Sequence, residues 1–267
     1  MNGGLIELST VDLVVAAGLV LVAGCVSVAL RLGLERRLAV AAARTIVQLM
    51  LIGYVLKWVF QANTFLVIAP VMAIMIVAAS RAAVQRPSRT FAGSAWLAFV
   101  TLVLSGLLTT FLVTRVIVGV EPWYQAQYAI PLLGMILGNG LTGVSLCVDH
   151  LLQELSQRRD LIEMELAHGA TRWEAARDVV ADAVRRGMIP IINSMMVVGI
   201  VSLPGMMTGQ ILAGADPVRA VKYQVMVMFM ISAATSLGCI IIALLAYRRL
   251  FNAKHQLEVD LIVKRRG

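Results

Sequence analysis

The chain has 267 residues, of which 60% are hydrophobic and only 14% are charged. Soluble domains usually carry about 25% charged residues. A chain this poor in charge cannot cover a water-facing surface, so part of its surface must face lipid. Its net charge of +8 would favour nucleic acid as the partner of a soluble protein. Here we interpret the excess Lys and Arg as loop residues that orient the chain in a lipid bilayer, and we expect no nucleic-acid partner.

Seven segments of the chain are long and apolar enough to span a bilayer, which requires about 20 mostly apolar residues. In chain order they are Val11–Leu30, Leu38–Phe60, Thr64–Val84, Thr90–Thr114, Ala126–Val148, Met188–Ala215 and Tyr223–Tyr247. They predict an all-α, polytopic membrane helix bundle of about seven transmembrane helices, which forms a single domain over residues 1–267. Cys25, Cys147 and Cys239 each lie inside an apolar segment, and we interpret them as small packing residues.

The positions of the charged residues predict how the bundle is oriented. Most of the 23 basic residues fall in one alternate set of loops and in the tail over residues 248–267. The other set of loops keeps only Arg115, Arg219 and Lys222 near its helix ends. Because cytoplasmic loops carry the excess of Lys and Arg, we expect the N-terminus outside, the C-terminus in the cytoplasm and the tail as a basic cytoplasmic segment.

One loop, over residues 149–187, is too long for a turn and predicts a cytoplasmic insert of two helices. The first helix ends at Gly169, a residue type that favours the position after a helix end. The second begins at Thr171-Arg172-Trp173-Glu174, which matches a capping box. One interpretation is an amphipathic hairpin that lies on the membrane surface; the other is an element that couples the bundle to an ATPase. Its candidate coupling residues are Glu163, Glu165, His168, Gly169, Ala170, Thr171, Trp173 and Glu174.

The insert resembles in part the cytoplasmic "EAA" loop of ATP-binding-cassette (ABC) transporter membrane subunits. That loop has Glu, two small residues, three others and Gly, followed by an apolar-Pro pair. This chain has Glu163 six residues before Gly169 and then Ile189-Pro190. It departs from the pattern because Met164 and Glu165 follow Glu163 and because the last gap is longer. The resemblance implies that a short helix and its Gly turn insert into a groove of an ATPase.

Polar residues and a Pro-Gly pair inside the predicted spans indicate a transport pathway, because polar groups in the membrane are costly and are mostly functional. The candidate pathway residues are Arg44, Gln48, Asn139, Asn193, Pro204, Gly205, Met206, Met207 and Gln210. Several have simpler interpretations: Arg44 can extend to the membrane surface, Pro204 can make a plain kink, and methionines often fill gaps in a core. No convincing metal cluster is visible in the sequence, so the metal ligands, if any, stay open.

Several stretches resemble the FetB-type permeases, the YbbM family, over nearly the whole chain. They are residues 44–57, 131–139, 168–171, 201–209, 213–218, 222–226, 247–248 and 255–257. The most specific is the run from Val201 to Gly209. The resemblance implies an ABC transporter permease of the bacterial inner (plasma) membrane, linked in bacteria to iron export and metal stress and in plants to aluminium tolerance.

Together the residues and the resemblance favour a permease that forms a homodimer and pairs with a separate cytoplasmic ABC ATPase subunit of the FetA type. The chain lacks the GxxxxGK[ST] motif of a P-loop, so we expect no cofactor bound by this chain, no enzymatic activity of its own, and ATP and Mg on the partner ATPase. Iron or another metal ion is the expected cargo. Alternative hypotheses are a permease for a nucleotide sugar or a lipid-like substrate, an ATP-independent secondary transporter, a membrane enzyme and a non-transporting anchor.

Overall fold

A computed structural model describes residues 9–252 and 254–264 of the chain. In this part the chain forms α1 (Thr10–Ala29), α2 (Glu35–Ala62), α3 (Phe65–Gln85), β1 (Arg89–Phe91), α4 (Ser94–Phe111), α5 (Ala126–Gln157), α6 (Arg159–Ala167), α7 (Arg172–Val197), α8 (Gly205–Leu212), α9 (Pro217–Leu250) and β2 (Ile262–Lys264). A π-helix over Leu112–Ile117 extends α4, and a short 3-10 helix over Val259–Leu261 precedes β2.

Six of the described helices are long and apolar enough to cross a membrane: α1, α2, α3, α4 with its π-helical extension, α5 and α9. The protein is therefore a polytopic helical membrane bundle, as its composition predicts. The remaining predicted span, Met188–Ala215, is not one continuous helix. The number of crossings and the side on which each terminus lies stay predictions from the sequence.

The predicted sixth span is divided into the end of α7 and the short helix α8. Helix α7 ends at Val197, and the chain is non-helical until Pro204 caps α8. Gly199 has a φ of +85°, a conformation that favours glycine. Pro204 has no N–H to continue a helix. The break is therefore wider than the Pro204-Gly205 pair alone predicts, and it begins before the proline.

Helices α5, α7 and α9 pack closely around two glycines. A Cβ atom on Gly187 of α7 would lie 2.7 Å from the carbonyl oxygen of Gly143 on α5 and 2.6 Å from Sγ of Cys239 on α9. Cys147 and Cys239 are fully buried at this contact, which confirms their interpretation as packing residues. Cys25 is exposed. The close approach fixes α7 against both of its neighbours.

Helices α1 and α2 form a hairpin at the edge of the bundle. Among their described side chains only Ser27 and Val59 are buried. Ser27 joins the two helices, since its hydroxyl donates to Glu35 at 3.1 Å and accepts the N–H of Leu34 at 3.0 Å. Most of the apolar surface of this hairpin faces away from the rest of the chain.

Three predicted boundaries differ from the structure. The first insert helix is not one helix from residue 149: α5 continues to Gln157, Arg158 ends it, and α6 follows. The fourth span does not begin as a helix at Thr90, because Thr90 lies in β1 and Gly93, at φ +91°, turns the chain into α4. The tail begins after residue 248, because α9 continues to Leu250, and its strand β2 pairs with β1 in an antiparallel sheet.

Candidate functional site

The turn between α6 and α7 is closed by a Schellman motif. The N–H of Ala170 donates to the carbonyl oxygen of Glu165 at 3.1 Å, and the N–H of Gly169 donates to that of Leu166 at 3.0 Å. Gly169 has a φ of +95°, which a residue with a Cβ adopts only at a cost. The predicted Gly turn is therefore present, and its geometry requires glycine.

The N-terminus of α7 carries the predicted capping box. The N–H of Thr171 donates to Oε2 of Glu174 at 2.7 Å, and the N–H of Glu174 donates to Oγ1 of Thr171 at 3.3 Å. These bonds from the backbone and the hydroxyl of Thr171 lower the pKa of the Glu174 carboxyl. Two donors at the helix end are satisfied in this way, so the start of α7 is fixed locally.

Helix α6 has an anchored face and a charged exposed face. Ile162 is buried, whereas Arg159 and Glu163 are exposed and form an ion pair at 2.7 Å. The hydrogen bond that Arg159 donates to the Glu163 carboxylate raises the pKa of the Arg159 guanidinium. On α7, Trp173 stays 42% exposed while its ring meets the ring of Tyr247 edge-on at 5.5 Å. Exposed aromatic and Arg side chains are enriched where proteins contact one another, so Trp173 and Arg159 are suited to such a contact.

The C-terminal tail supports this turn from the side. Nδ1 of His255 accepts the N–H of Arg172, the first residue of α7, at 3.0 Å. A cavity of about 730 Å³ separates the tail from α6 and has Glu163 and Leu166 on one side and His255 and Asp260 on the other. Sequence reasoning did not include His255 among the coupling residues, because nothing in the local pattern of the tail shows which helix it contacts.

A second cavity, of about 810 Å³, lies between α5, α8 and α9 at the end of the bundle away from α6. We call it the transport cavity. Its lining consists of Val118, Gln127, Tyr128, Pro131, Leu132, Met135, Met206, Gln210, Arg219, Tyr223 and Met226. Of the predicted pathway residues, only Met206 and Gln210 line it. The helix break therefore borders a cavity, but the structure does not gather the predicted pathway residues there.

The other predicted pathway residues lie elsewhere on the single chain. Arg44 and Gln48 on α2, Asn139 on α5, Asn193 on α7 and Gly205 are exposed. The side-chain amide of Asn139 donates to the carbonyl oxygen of Met135 on its own helix at 3.0 Å. Pro204 and Met207 are half-buried beside the break.

The transport cavity has a polar end and a methionine-lined end. On α9, Arg219, Tyr223 and Met226 are spaced to lie on one face, and Arg219 precedes Met226 by about 10 Å along the axis. On α5, the polar residue Tyr128 likewise precedes Met135 along the helix. Helical spacing shows which residues share a face but not which faces meet, so the sequence could not place Met135 of α5 beside Arg219, Tyr223 and Met226 of α9.

Two glutamines near the cavity have an unpaired buried oxygen. Oε1 of Gln210 on α8 and Oε1 of Gln224 on α9 are both buried and accept no hydrogen bond from the described residues. A buried polar atom without a partner costs about 1–3 kcal/mol. Gln210 lines the cavity, so a bound molecule with a donor group can satisfy its oxygen. Within residues 9–252 and 254–264, no three His, Cys, Asp or Glu side chains form a group that could hold a metal.

Comparison with known proteins shows relatives along almost the entire chain. The chain is 37% identical to "Probable iron export permease protein FetB" of Escherichia coli over 95% of its length and 96% of the relative. It is 38% identical to a UPF0014 membrane protein of Synechocystis over 97% of its length and 100% of the relative. It is 32% identical to "Protein ALUMINUM SENSITIVE 3" of Arabidopsis thaliana over 90% of its length and 86% of the relative.

No solved structure matches the chain. The family model described as "Uncharacterised protein family (UPF0014)" matches residues 10–251, a range that includes the α6–α7 turn, the helix break and the transport cavity. With its six apolar helices among the described residues and these relatives, the chain is a multi-pass membrane protein and a member of the UPF0014 family.

Proposed function

We propose that this chain is the membrane-spanning subunit of an ABC exporter that moves iron or another metal out of the cytoplasm and contributes to resistance against metal stress. A separate cytoplasmic ATPase, which binds ATP and Mg, supplies the energy. The observation that carries the proposal is the α6–α7 turn, a well-closed and exposed element whose second helix leads directly to the break beside the transport cavity. The name of the Escherichia coli relative, a probable iron export permease, supports iron as the cargo.

Helix α7 connects the α6–α7 turn to the helix break beside the transport cavity. Its 26 residues correspond to about 39 Å of continuous helix. The contact of Gly187 with α5 and α9 holds the middle of α7. The segment from Val198 to Pro204 leaves the regular helix and is closed by turn hydrogen bonds, such as that from the N–H of Gly199 to the carbonyl oxygen of Ser202 at 2.8 Å. When ATP closes the ATPase, a displacement of the turn therefore tilts α7 about the held point at Gly187 and changes the break, which opens or closes the cavity.

We further propose that two copies of the chain assemble in the membrane. Arg44 and Gln48 lie four residues apart on α2, hence on one face, and both are exposed in the single chain. A charged side chain facing lipid costs several kcal/mol, so this face is better covered by protein. A homodimer with two ATPase subunits covers it and gives each ATPase one α6–α7 turn.

The experiment that tests the coupling turn is co-purification with the partner ATPase. Gly169→Val strains the turn, and Glu163→Ala removes the exposed carboxylate of α6. We expect both variants to retain less ATPase and to lose ATP-dependent transport. Gly119→Val is the matched control, because Gly119 also has a positive φ and open space around it but lies in the loop between α4 and α5. Unchanged ATPase binding and transport in both coupling variants would refute the proposal.

A further inference from the structure

We propose that the transport cavity binds a small organic polyanion, and that iron leaves the cell as an anionic chelate and not as a bare ion. This inference rests on the proposed export function and names the chemical form of its cargo. It is carried by the size of the cavity, by the charge of its lining and by an unpaired buried oxygen.

The size of the transport cavity favours an organic molecule. About 810 Å³ is available between α5, α8 and α9. Sites for small organic ligands measure about 300–1,000 Å³, whereas a metal site consists of a few ligand atoms within about 2–3 Å of the ion. The volume of the cavity therefore suits a small organic molecule better than a bare metal ion.

The charge of the lining favours an anion. Among the described residues that line the cavity, Arg219 is the one charged residue, and none is Asp or Glu. Within the described residues the guanidinium of Arg219 forms no ion pair. A guanidinium binds carboxylates through two parallel hydrogen bonds, and it repels a free cation. A bare iron ion would meet a positive charge here without the carboxylates that offset its own charge.

The uncharged polar groups suit a hydroxylated ligand. Oε1 of Gln210 is buried and lacks a donor, and a ligand hydroxyl can supply one. Tyr128, Tyr223 and Gln127 add phenol and amide groups to the same lining. A hydroxycarboxylate, whose hydroxyl donates and whose carboxylates accept, matches this set of groups. Such molecules also chelate ferric iron.

The methionines at the other end of the cavity favour a competing ligand, a soft metal ion. Met135, Met206 and Met226 line it together, and thioether sulfur selects soft ions such as monovalent copper. Under the polyanion proposal these side chains form only an apolar floor. A variant that removes one sulfur atom and keeps the volume therefore separates the two cases.

The test is a binding measurement on the purified chain in lipid nanodiscs. The probes are radiolabelled citrate, ferric citrate, and ferrous iron kept reduced by ascorbate without citrate. The variants are Arg219→Gln, the sulfur-removing Met226→Leu, and Lys222→Gln as a matched control, because Lys222 is an exposed cation on the same helix that does not line the cavity.

We expect citrate and ferric citrate to bind the unmodified chain. Arg219→Gln should weaken binding of both anions by about tenfold or more, the loss of one charge-assisted hydrogen bond. Lys222→Gln should leave their binding unchanged, and Met226→Leu, which keeps the apolar floor, should weaken it far less than Arg219→Gln does. Equal affinity for citrate and ferric citrate would show that the cavity recognises the organic anion. Tighter binding of ferric citrate would show that it recognises the iron chelate. Both results support the proposal.

Two results would overturn the proposal. One is that neither anion binds. The other is that only ferrous iron binds, and that Met226→Leu abolishes this binding whereas Arg219→Gln does not change it. Failure of this inference is distinguishable from failure of the export function. ATP-dependent iron export that is unaffected by Arg219→Gln would refute the polyanion and leave the exporter standing. Absence of ATP-dependent movement of iron in every form would refute the exporter.

Discussion

His255 in the C-terminal tail accepts a hydrogen bond on Nδ1 from the backbone N–H of Arg172, at 3.0 Å, and so caps the first turn of α7. The first N–H groups of a helix have no partner inside it, and here a residue 83 positions further along the chain provides one. The tail is held in turn by the pairing of β2 with β1. The end of the chain thereby supports the turn that we propose contacts the ATPase.

Replacement of His255 by Ala should loosen the start of α7. Loss of one cap costs about 1 kcal/mol, so hydrogen exchange over residues 172–175 should become roughly fivefold faster. Lys254→Ala is the control, because that side chain is exposed in the same tail and should not change the exchange. Equal exchange in the His255 variant and the unmodified protein would show that the tail does not stabilise the turn.

The capping box should make the start of α7 sensitive to acid. The folded state holds the pKa of Glu174 below its ordinary value of 4.5 through the N–H and hydroxyl of Thr171. The stabilisation is therefore complete above pH 4.5 and is lost as the pH falls through the lower, folded value. Hydrogen exchange over residues 171–175, corrected for its intrinsic pH dependence, should show this loss, and Glu174→Gln should abolish the pH dependence. If the pH-dependent change in exchange persists in Glu174→Gln, it belongs to another titrating group.

Thr171 offers a second variant pair at the same cap. Thr171→Ala removes the hydroxyl that accepts the N–H of Glu174 and should destabilise the start of the helix by about 1 kcal/mol. Thr171→Ser keeps a hydroxyl and should behave like the unmodified protein. Local stability measured by native-state hydrogen exchange checks both, and equal effects of Ala and Ser would mean that the hydroxyl contributes nothing.

The contact of α5, α7 and α9 should not tolerate a methyl group at Gly187. A Cβ there would lie 2.6 Å from Sγ of Cys239 and 2.7 Å from the carbonyl oxygen of Gly143, closer than any relaxed contact. Gly187→Ala should therefore lower stability by about 1–3 kcal/mol, the usual cost of overpacking. The melting temperature in detergent is the measurement.

Gly53→Ala is the control for that substitution. Gly53 lies in the middle of α2 with no atom near the position of an added Cβ, and Ala favours a helix more than Gly does. Its melting temperature should stay the same or rise. A Gly187 variant as stable as the Gly53 variant would show that the three helices are less closely packed than the structure has them.

Features with a local cause could be predicted from the sequence. Gly169 ends a helix because it can adopt a positive φ, and Thr171 with Glu174 caps the next one, so the short stretch of residues 169–174 defines the turn. The apolar helices follow from the hydrophobic effect and the length that a bilayer requires. Pro204 and Gly205 predict an interruption of the sixth span, but the observed break begins earlier, after Val197, where Gly199 has a positive φ.

Features that depend on contacts between distant residues could not be predicted. The pairing of Phe91 with Ile262 and the bond between Arg172 and His255 join segments far apart in the chain. Arg219 and Met135 meet at one cavity only because α9 and α5 pack together with α8. A single sequence shows which residues share a helix face, as Arg44 and Gln48 do, but the partner of that face follows from packing.

The measurement that tests the central claim most directly is ATP-dependent uptake of radioactive iron, supplied with and without citrate, into sealed inside-out vesicles that contain this chain and its partner ATPase. We expect uptake only when the chain, the ATPase and ATP with Mg are all present, and we expect Gly169→Val to abolish it. Uptake that is unchanged without the ATPase would contradict the account and would identify the chain as an ATP-independent transporter.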